Sequence, residues 1–268
     1  MSTLEATGWT SPSPRWAGAA RVAALIQVNF GLITREPGAV ISRLVQPIVL
    51  ITLMRPLYVA ALAKDGAQAG TSQVVTGMLV MFSLLALSLS AGAILLERIL
   101  RTWDRLRATP ARPIEMLIGK AVPAFALLAL QQAVVIGFGV VAFGLHVANL
   151  GLLALAITCW ALTLMGIGAA LGACLRSFSE LNAAYDVGGL LLSALGGALV
   201  PLAQLPRWAQ AIAPASPGYW AMSALRSALL GHPEGTLRAV GVLLAIAAAT
   251  AALAAWRIGR GWPRSRLM

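Results

Sequence analysis

Charged residues are scarce in this sequence, and acidic ones are the scarcest. Only nine of the 268 residues are Asp or Glu, and charged residues of both signs make up 11%. Soluble domains carry about 25% charged residues, so this chain has too few to cover a water-exposed surface. Its 59% hydrophobic residues and mean hydropathy of +0.82 suit a surface that faces lipid instead. The composition excludes a soluble globular domain and predicts an integral membrane protein.

Cysteine and histidine are also rare, with two of each. Cys159 and Cys174 lie in one apolar stretch, a position that suits small buried hydrophobic side chains. Their spacing supports neither a metal site nor a disulfide framework. With the few scattered carboxylates, these residues form no catalytic triad or metal set. The sequence therefore predicts a chain that is not an enzyme and binds no metal or cofactor.

An ATP-binding motif is absent as well. The pattern G-x-x-x-x-G-K-[ST] does not occur, because Gly119-Lys120 is followed by Ala121. No hydrophilic stretch is longer than about 40 residues, whereas a domain usually needs about 50 or more. We expect that this chain does not hydrolyse ATP itself. Residues 1–14 are rich in Ser, Pro and Thr, which predicts a disordered lead-in and not a signal peptide.

Long hydrophobic runs are abundant. Six of them approach the roughly 20 residues that cross about 30 Å of hydrocarbon. They are Ile41–Leu62, Val74–Leu96, Ala121–Leu145, Leu150–Leu175, Ala183–Leu202 and Leu237–Trp256. We predict an all-α membrane protein, with one bundle of six transmembrane helices over residues 41–256.

Basic residues set the predicted orientation, because Lys and Arg accumulate in cytoplasmic loops. If the N-terminus is inside, fifteen basic residues fall on the cytoplasmic side and only four on the extracellular side, namely Lys64, Arg207, Arg226 and Arg238. Both termini, including a basic tail at 257–268, are then cytoplasmic. This bias explains the net charge of +11 without nucleic acid, for which no binding motif is present.

The segment before the first span predicts a helix that lies on the membrane surface. Over residues 15–36, helical spacing places Arg21, Gln27 and Asn29 largely on one side of an apolar helix. An ordinary soluble helix is the alternative. Glu36-Pro37-Gly38 breaks the chain before the first span.

The connection from Glu97 to Lys120 is too polar to insert into lipid and too long for a tight turn. Its charged residues suggest a short helix that is broken near Thr109-Pro110 and again near Pro113. Two interpretations remain open from the residues alone. The segment either sets the topology only, or it is a docking surface through which a cytoplasmic partner transmits force to the spans.

This segment resembles the hallmark of type-2 permeases of ATP-binding-cassette (ABC) transporters, in which "ERExGTxxxLxxTP" follows the second span and ends in "GK" or "GR" at the third. The matching residues are Glu97, Arg98, Thr102, Leu106, Thr109, Pro110, Gly119 and Lys120. The wording DRLRATP is similar to the daunorubicin-resistance branch, whereas Ile99, Leu100 and Arg101 depart from the family pattern. Arg35-x-Pro37, Leu205-Pro206-x-Trp208 and Ser216-Pro217-x-Tyr219 extend the resemblance over nearly the whole chain.

The resemblance implies the permease subunit of an exporter for drugs or other amphiphilic compounds in a bacterial plasma (inner) membrane. It also implies a separate cytoplasmic ATPase that uses ATP-Mg, a second permease copy or a paralogous permease, and short extracellular helices that re-enter the outer leaflet before the last span. The implied ATPase-coupling residues are Glu97, Arg98, Arg101, Thr102, Asp104, Arg105, Leu106, Arg107, Thr109 and Pro110. An exporter of lipid-linked glycan or polysaccharide with the same fold is the alternative.

Polar residues inside the spans are candidates for the translocation pathway, because each is costly in hydrocarbon and usually faces protein or water. The candidates are Arg55, Gln46, Gln131, Gln132 and Asp186. Structural hydrogen bonds between helices are the alternative for each. Two rival classes are a membrane scaffold and a secondary transporter, for which Arg55 and Asp186 would be the charged candidates for a coupling-ion site.

Small residues at four-residue spacing predict close helix packing. They are Gly168 with Gly172, and Gly189 with Ser193 and Gly197. We expect this packing within one chain and not at a seam between two chains.

Overall fold

The computed structural model describes residues 17–35, 37–99 and 113–259. Within these ranges all regular secondary structure is helical and no strand occurs, which confirms the predicted all-α class. The α-helices are α1 (Ala17–Arg35), α2 (Pro37–Ala61), α3 (Ala67–Leu85), α4 (Ser88–Ile99), α5 (Pro113–Phe143), α6 (Leu150–Cys174), α7 (Phe178–Leu195), α8 (Arg207–Ile212), α9 (Pro217–Leu229) and α10 (Pro233–Gly259). The predicted lead-in at 1–14 and most of the basic tail lie outside the described residues.

Five helices in the described part of the chain are long and apolar enough to cross a membrane. They are Val40–Ala61, Ala67–Leu85, Ile118–Phe143, Leu150–Cys174 and Pro233–Ile258. A multi-pass membrane protein is therefore confirmed. Four of the five agree closely with predicted spans, while the second begins and ends earlier than Val74–Leu96. The count of six spans remains a prediction.

The second predicted span is two helices and not one. α3 ends at Leu85 and α4 begins at Ser88. At the break between them the amide of Leu87 donates to the carbonyl of Leu84 at 3.1 Å, three residues back, so the last turn is tighter than an α-helical turn. The sequence is apolar on both sides of the break and contains no proline there. Hydropathy therefore predicted a single span.

The fifth predicted span, Ala183–Leu202, is also shorter than expected. α7 ends at Leu195, because the chain turns at Gly196 and Gly197. Gly197 has a φ of 81°, a backbone conformation that glycine adopts without steric cost. The turn is fixed by Gln73 of α3, whose Nε2 donates to the carbonyl of Gly197 at 2.8 Å.

α3 is the central helix of the bundle. In its membrane-length window 72% of the residues are buried, against 17% for α2 and 22% for α10. Its buried side chains share one core with Trp160 of α6, Leu225 of α9 and Leu243 of α10. The indole Nε1 of Trp160 donates to Ser83 Oγ at 2.7 Å, which joins α6 to α3 inside that core. α2 and α10 are left on the outside, where large apolar faces are exposed.

Small residues allow close helix contacts within the chain. A Cβ at Gly172 of α6 would lie 2.6 Å from the carbonyl oxygen of Ala91 in α4. A Cβ at Gly189 of α7 would lie 3.6 Å from the backbone of Leu84 in α3. At these two positions the predicted packing within one chain is confirmed.

The loops predicted to lie outside the membrane come together at one end of the bundle. Gln68 Nε2 donates to the carbonyl of Gly144 at 3.1 Å, and the amide of Ala148 donates to the carbonyl of Leu229 at 3.0 Å. α1 lies near the start of α5, at the opposite end. The orientation of these two ends relative to a membrane remains a prediction.

Residues 201–231 form short helices, as predicted for this proline-rich segment. Two 3₁₀ turns, Leu202–Gln204 and Ala213–Ala215, flank α8, and α9 follows. Ser216 caps α9 by accepting from the amide of Gly218 at 3.1 Å, and its hydroxyl donates to the carbonyl of Leu192 at 2.7 Å. α9 is thereby fixed to the end of α7. Re-entry into the outer leaflet remains a prediction.

Candidate functional site

Two predicted coupling residues, Glu97 and Arg98, lie in the last turns of α4. The other eight, Arg101, Thr102, Asp104, Arg105, Leu106, Arg107, Thr109 and Pro110, lie outside the described residues. The described chain ends at Ile99 before this stretch and resumes at Pro113, which begins α5. A proline suits the first position of a helix, where its missing N–H would have no partner in any case. The predicted coupling segment is therefore bounded by α4 on one side and α5 on the other.

The start of α5 is held by α1. Arg21 of α1 donates through Nε and Nη2 to the two carboxylate oxygens of Glu115, at 3.0 and 3.1 Å. Glu115 lies in the first turn of α5, where a negative charge interacts favourably with the helix dipole. Its side chain is largely buried, and the hydrogen bonds to Glu115 raise the pKa of the Arg21 guanidinium above its ordinary value. This paired, forked geometry is the strong form of an Arg–carboxylate contact.

A second contact one turn along α5 completes this junction. Gly119 lies against Leu25 so closely that a Cβ there would be 2.6 Å from the Leu25 Cβ. Asn29 Nδ2 donates to the carbonyl of Leu25 at 2.8 Å and to that of Gly119 at 3.3 Å. The helix that was predicted to lie on the membrane surface is α1, and it packs along the beginning of α5. The Gly of the "GK" pair in the sequence motif is the residue that permits this approach.

Sequence reasoning did not identify the Arg21–Glu115 pair. The signal that could have identified it is an acidic residue two positions after a proline at a helix start. The partner lies 94 residues away along the chain, so no local pattern connects the two.

A polar cavity of about 340 Å³ lies beside the break between α3 and α4. It is lined by residues of α2 (Ser42, Arg43, Gln46), of the break and its flanks (Phe82, Leu85, Ala86, Ser88), of α5 (Gln131) and of α7 (Tyr185, Asp186). Three of the five predicted pathway residues, Gln46, Gln131 and Asp186, are brought together here from three different helices.

Gln131 is the most deeply buried polar residue of the cavity, with 3% of its surface exposed. Its Oε1 has no hydrogen-bond partner in the described structure. Arg43 and Asp186 line the same cavity, yet neither forms an ion pair with another described residue. Buried polar groups are nearly always paired. A cavity with such groups can therefore accept a polar ligand or water.

The other two predicted residues lie elsewhere. Gln132 is 1% exposed, and neither of its amide atoms has a described partner. Arg55 lies near the end of α2, where its Nε donates to Thr71 Oγ1 at 3.3 Å and its Cζ lies 4.8 Å from the centre of the Phe143 ring. These contacts join α2 to the beginning of α3 and the end of α5.

A second cavity, of about 380 Å³, is almost wholly apolar. It lies between α1, α2 and α5 and is lined by residues such as Phe30, Ile41 and Leu130. Over residues 17–35, 37–99 and 113–259, no group of three His, Cys, Asp or Glu side chains is arranged to hold a metal ion.

Comparison with known proteins agrees with this geometry. Residues 20–230 match the family described as ABC-2 type transporter. The chain is also 28% identical over 190 residues to the Linearmycin resistance permease protein LnrN of Bacillus subtilis (strain 168). That match covers 70% of this chain and 49% of the relative, so the chain spans about half the length of the curated protein it matches. The family match covers most of the chain and agrees with its helices of membrane length, so the chain belongs to the ABC-2 type transporter family.

Proposed function

We propose that this chain is the transmembrane permease subunit of an ATP-driven exporter that moves drugs or other amphiphilic compounds out of the cell. A separate cytoplasmic ATPase, which binds ATP-Mg, supplies the energy. The observation that carries this proposal is the position of the polar cavity, whose wall includes Ala86 and Ser88 at the break that leads into α4. The similarity to a linearmycin resistance permease supports a role in drug resistance.

Force from the ATPase enters through the coupling residues between α4 and α5. α4 is separated from α3 by the break at Ala86-Leu87, so a push on its far end moves it relative to α3. The wall of the cavity moves with it. α5 carries the opposite wall through Gln131, and its first turn is held by Arg21 of α1. One push can thus change the shape of the cavity from two sides.

The exporter contains a second permease, either another copy of this chain or a paralogue. In the membrane-length window of α2 only 17% of the residues are buried, so a long apolar face is available to a partner helix or lipid. We place the protein in a bacterial plasma membrane with six spans and both termini in the cytoplasm. α7 supplies the span beyond the five already described.

The coupling role is tested by charge reversal at Arg105 and Arg107. We expect Arg105→Glu with Arg107→Glu to reduce co-purification with the proposed partner ATPase and to abolish permease-stimulated ATP turnover. Arg207→Glu with Arg238→Glu is the matched control, because these residues are predicted to lie on the opposite side of the membrane. Unchanged binding and turnover in the first pair would contradict the docking role.

Export itself is tested in inverted vesicles that contain both subunits. A fluorescent amphiphilic drug should accumulate inside in the presence of ATP, and it should not accumulate with a non-hydrolysable analogue or without the permease. ATP-dependent movement of a lipid-linked glycan without drug accumulation would favour the alternative cargo class.

A further inference from the structure

The polar cavity contains more hydrogen-bonding capacity than the described protein uses. Gln131 Oε1 is a buried acceptor without a described partner, while Arg43 supplies donors and Asp186 an anionic acceptor without a described ion pair. Of the three, Gln131 is the buried one, and buried polar atoms are nearly always hydrogen-bonded, so its Oε1 favours a ligand or water as partner. All three groups line one space of about 340 Å³, which lies in the size range of small-molecule sites. They accordingly share a single ligand-sized volume.

Two of the lining residues are exposed at positions where lipid would be an unfavourable neighbour. Gln46 lies within the membrane-length part of α2, and Asp186 lies in the middle of α7. Polar side chains in the hydrocarbon region generally face a water-filled cavity, a ligand or a partner group. Gln46 and Asp186 therefore form a polar edge of the cavity, which we call its rim, between apolar residues of α2 and α7.

An apolar surface adjoins this rim. Val45 and Val49, on either side of Gln46 along α2, are 46% and 49% exposed. Phe82 and Leu85 form part of the inner wall. A molecule with a polar head in the cavity would therefore have apolar surface available for its body.

We propose that this cavity binds the polar head of the exported amphiphile, and that the head combines a hydrogen-bond donor with an acidic or phosphate group. The donor, a hydroxyl or an ammonium group, faces Gln131 Oε1 and Asp186. The acidic group faces Arg43. This assignment rests on the proposed export function, because it defines the class of cargo that the exporter selects.

The chemistry of the three groups distinguishes this head from simpler ones. A head with only a positive charge would leave Arg43 unpaired and would repel it. A head with only a negative charge would be repelled by Asp186 and would offer nothing to Gln131. A head that carries both groups meets all three cavity groups, and where its donor is an ammonium it adds no net charge, which lowers the cost of burying it.

The position of the break between α3 and α4 gives a means of release. Ala86 and Ser88 form one wall of the cavity, so displacement of α4 alters the space that the head occupies. Binding of the head and movement of α4 are therefore linked through the same few residues.

The test compares two lipid probes that share one photoreactive acyl tail. Phosphatidylethanolamine offers ammonium N–H donors and a phosphate, whereas phosphatidylcholine has the same charges without N–H donors. Each is added in trace amount to the purified permease assembly in nanodiscs of unlabelled phosphatidylcholine. After irradiation the labelled peptides are quantified. We expect phosphatidylethanolamine to label peptides of α2, α5 and α7 about three- to tenfold more than phosphatidylcholine, the effect of one or two hydrogen bonds.

Gln131→Met is the decisive variant, because it removes the buried acceptor and keeps the volume. It should reduce phosphatidylethanolamine labelling to the phosphatidylcholine level while the temperature of unfolding stays the same or rises. Asp186→Asn provides an independent test and should reduce the same preference. Gln204→Met, in a short turn that does not line the cavity, is the control and should leave the preference unchanged.

Equal labelling by the two probes in the unmodified chain would overturn the proposal. A preference that survives both Gln131→Met and Asp186→Asn would also overturn it, because the donor would then be recognised elsewhere. These results are independent of the ATPase. Lost head selectivity with intact ATPase coupling would refute this inference and leave the export function standing.

Discussion

Arg21 and Glu115 form a two-pronged ion pair that joins α1 to the first turn of α5, at the point where the described chain resumes after the predicted coupling segment. Gly119, one turn further, brings the two helices into close contact. The amphipathic helix that precedes the first span therefore has a structural partner and does not rest on lipid alone. This junction leads directly to a test of coupling.

Breaking this ion pair should weaken both the fold and the response to the ATPase. We expect Arg21→Glu or Glu115→Arg alone to lower the unfolding temperature and the permease-stimulated ATP turnover, because each places like charges face to face. The exchanged double variant should recover most of both, and a double-mutant cycle measures the interaction. Independent, additive effects of the two substitutions would show that the pair contributes nothing.

Ser83→Ala should destabilise the core around α3. The buried indole N–H of Trp160 would lose its acceptor, at a cost of about 1–3 kcal/mol. Thermal unfolding in detergent measures the effect. Ser72→Ala is the matched control, because that hydroxyl donates only to the carbonyl of Ala69 in its own helix. A cost no greater than that of the control would mean that the indole finds another partner.

Gly172→Ala should separate α4 from α6. Its new methyl group would lie 2.6 Å from the Ala91 carbonyl, a contact that real structures avoid, and overpacking of this kind costs about 1–3 kcal/mol. Gly241→Ala, in a helical position with open space around it, should instead stabilise by about 0.5–1 kcal/mol. The opposite signs of the two changes in unfolding temperature test the described contact.

Arg55→Met should act on stability and not on cargo affinity. The substitution removes the contacts with Thr71 and Phe143, of which the cation–π contact is worth about 0.5–2 kcal/mol. The cargo concentration for half-maximal export should remain unchanged. Arg238→Met, at an exposed position on α10, serves as the control. A selective loss of cargo affinity would instead assign Arg55 to the pathway.

Gln132→Leu should raise the unfolding temperature, because both amide atoms are buried without a described partner. Replacing such a group by an apolar one of similar size removes a penalty of about 1–3 kcal/mol. Gln68→Leu should have the opposite effect, since Gln68 Nε2 donates to the carbonyl of Gly144. A destabilised Gln132→Leu variant would reveal a water or a partner group at that position.

Hydropathy predicted the fold class and most of the spans, because the cost of burying polar groups in lipid depends on composition and length. The break at Ala86-Leu87 was not predicted. Both sides of it are equally apolar, and the packing of α4 through the small second core of Ala91, Leu95 and Leu181 is a tertiary contact that hydropathy does not describe. The early end of α7 had a visible signal in Gly196-Gly197, but the apolar residues beyond it concealed that signal.

The candidate site was predictable only as single residues. Gln46, Gln131 and Asp186 each stand out, because a polar side chain within a span is unfavourable and rare. Their convergence depends on how α2, α5 and α7 pack around α3, which no periodicity describes. Ser42 and Arg43 were not predicted as pathway residues, because they precede the most apolar part of α2. Arg43 was interpreted as one of the basic residues that commonly flank a membrane span.

α5 is longer than the hydrocarbon layer of a membrane is thick. Its 31 residues span about 46 Å at 1.5 Å per residue, whereas the hydrocarbon layer is about 30 Å. The Arg21–Glu115 ion pair ties the first turn of this long helix to α1. Because Glu115 and Gln131 lie on the same helix, a rigid tilt of α5 would move both residues together.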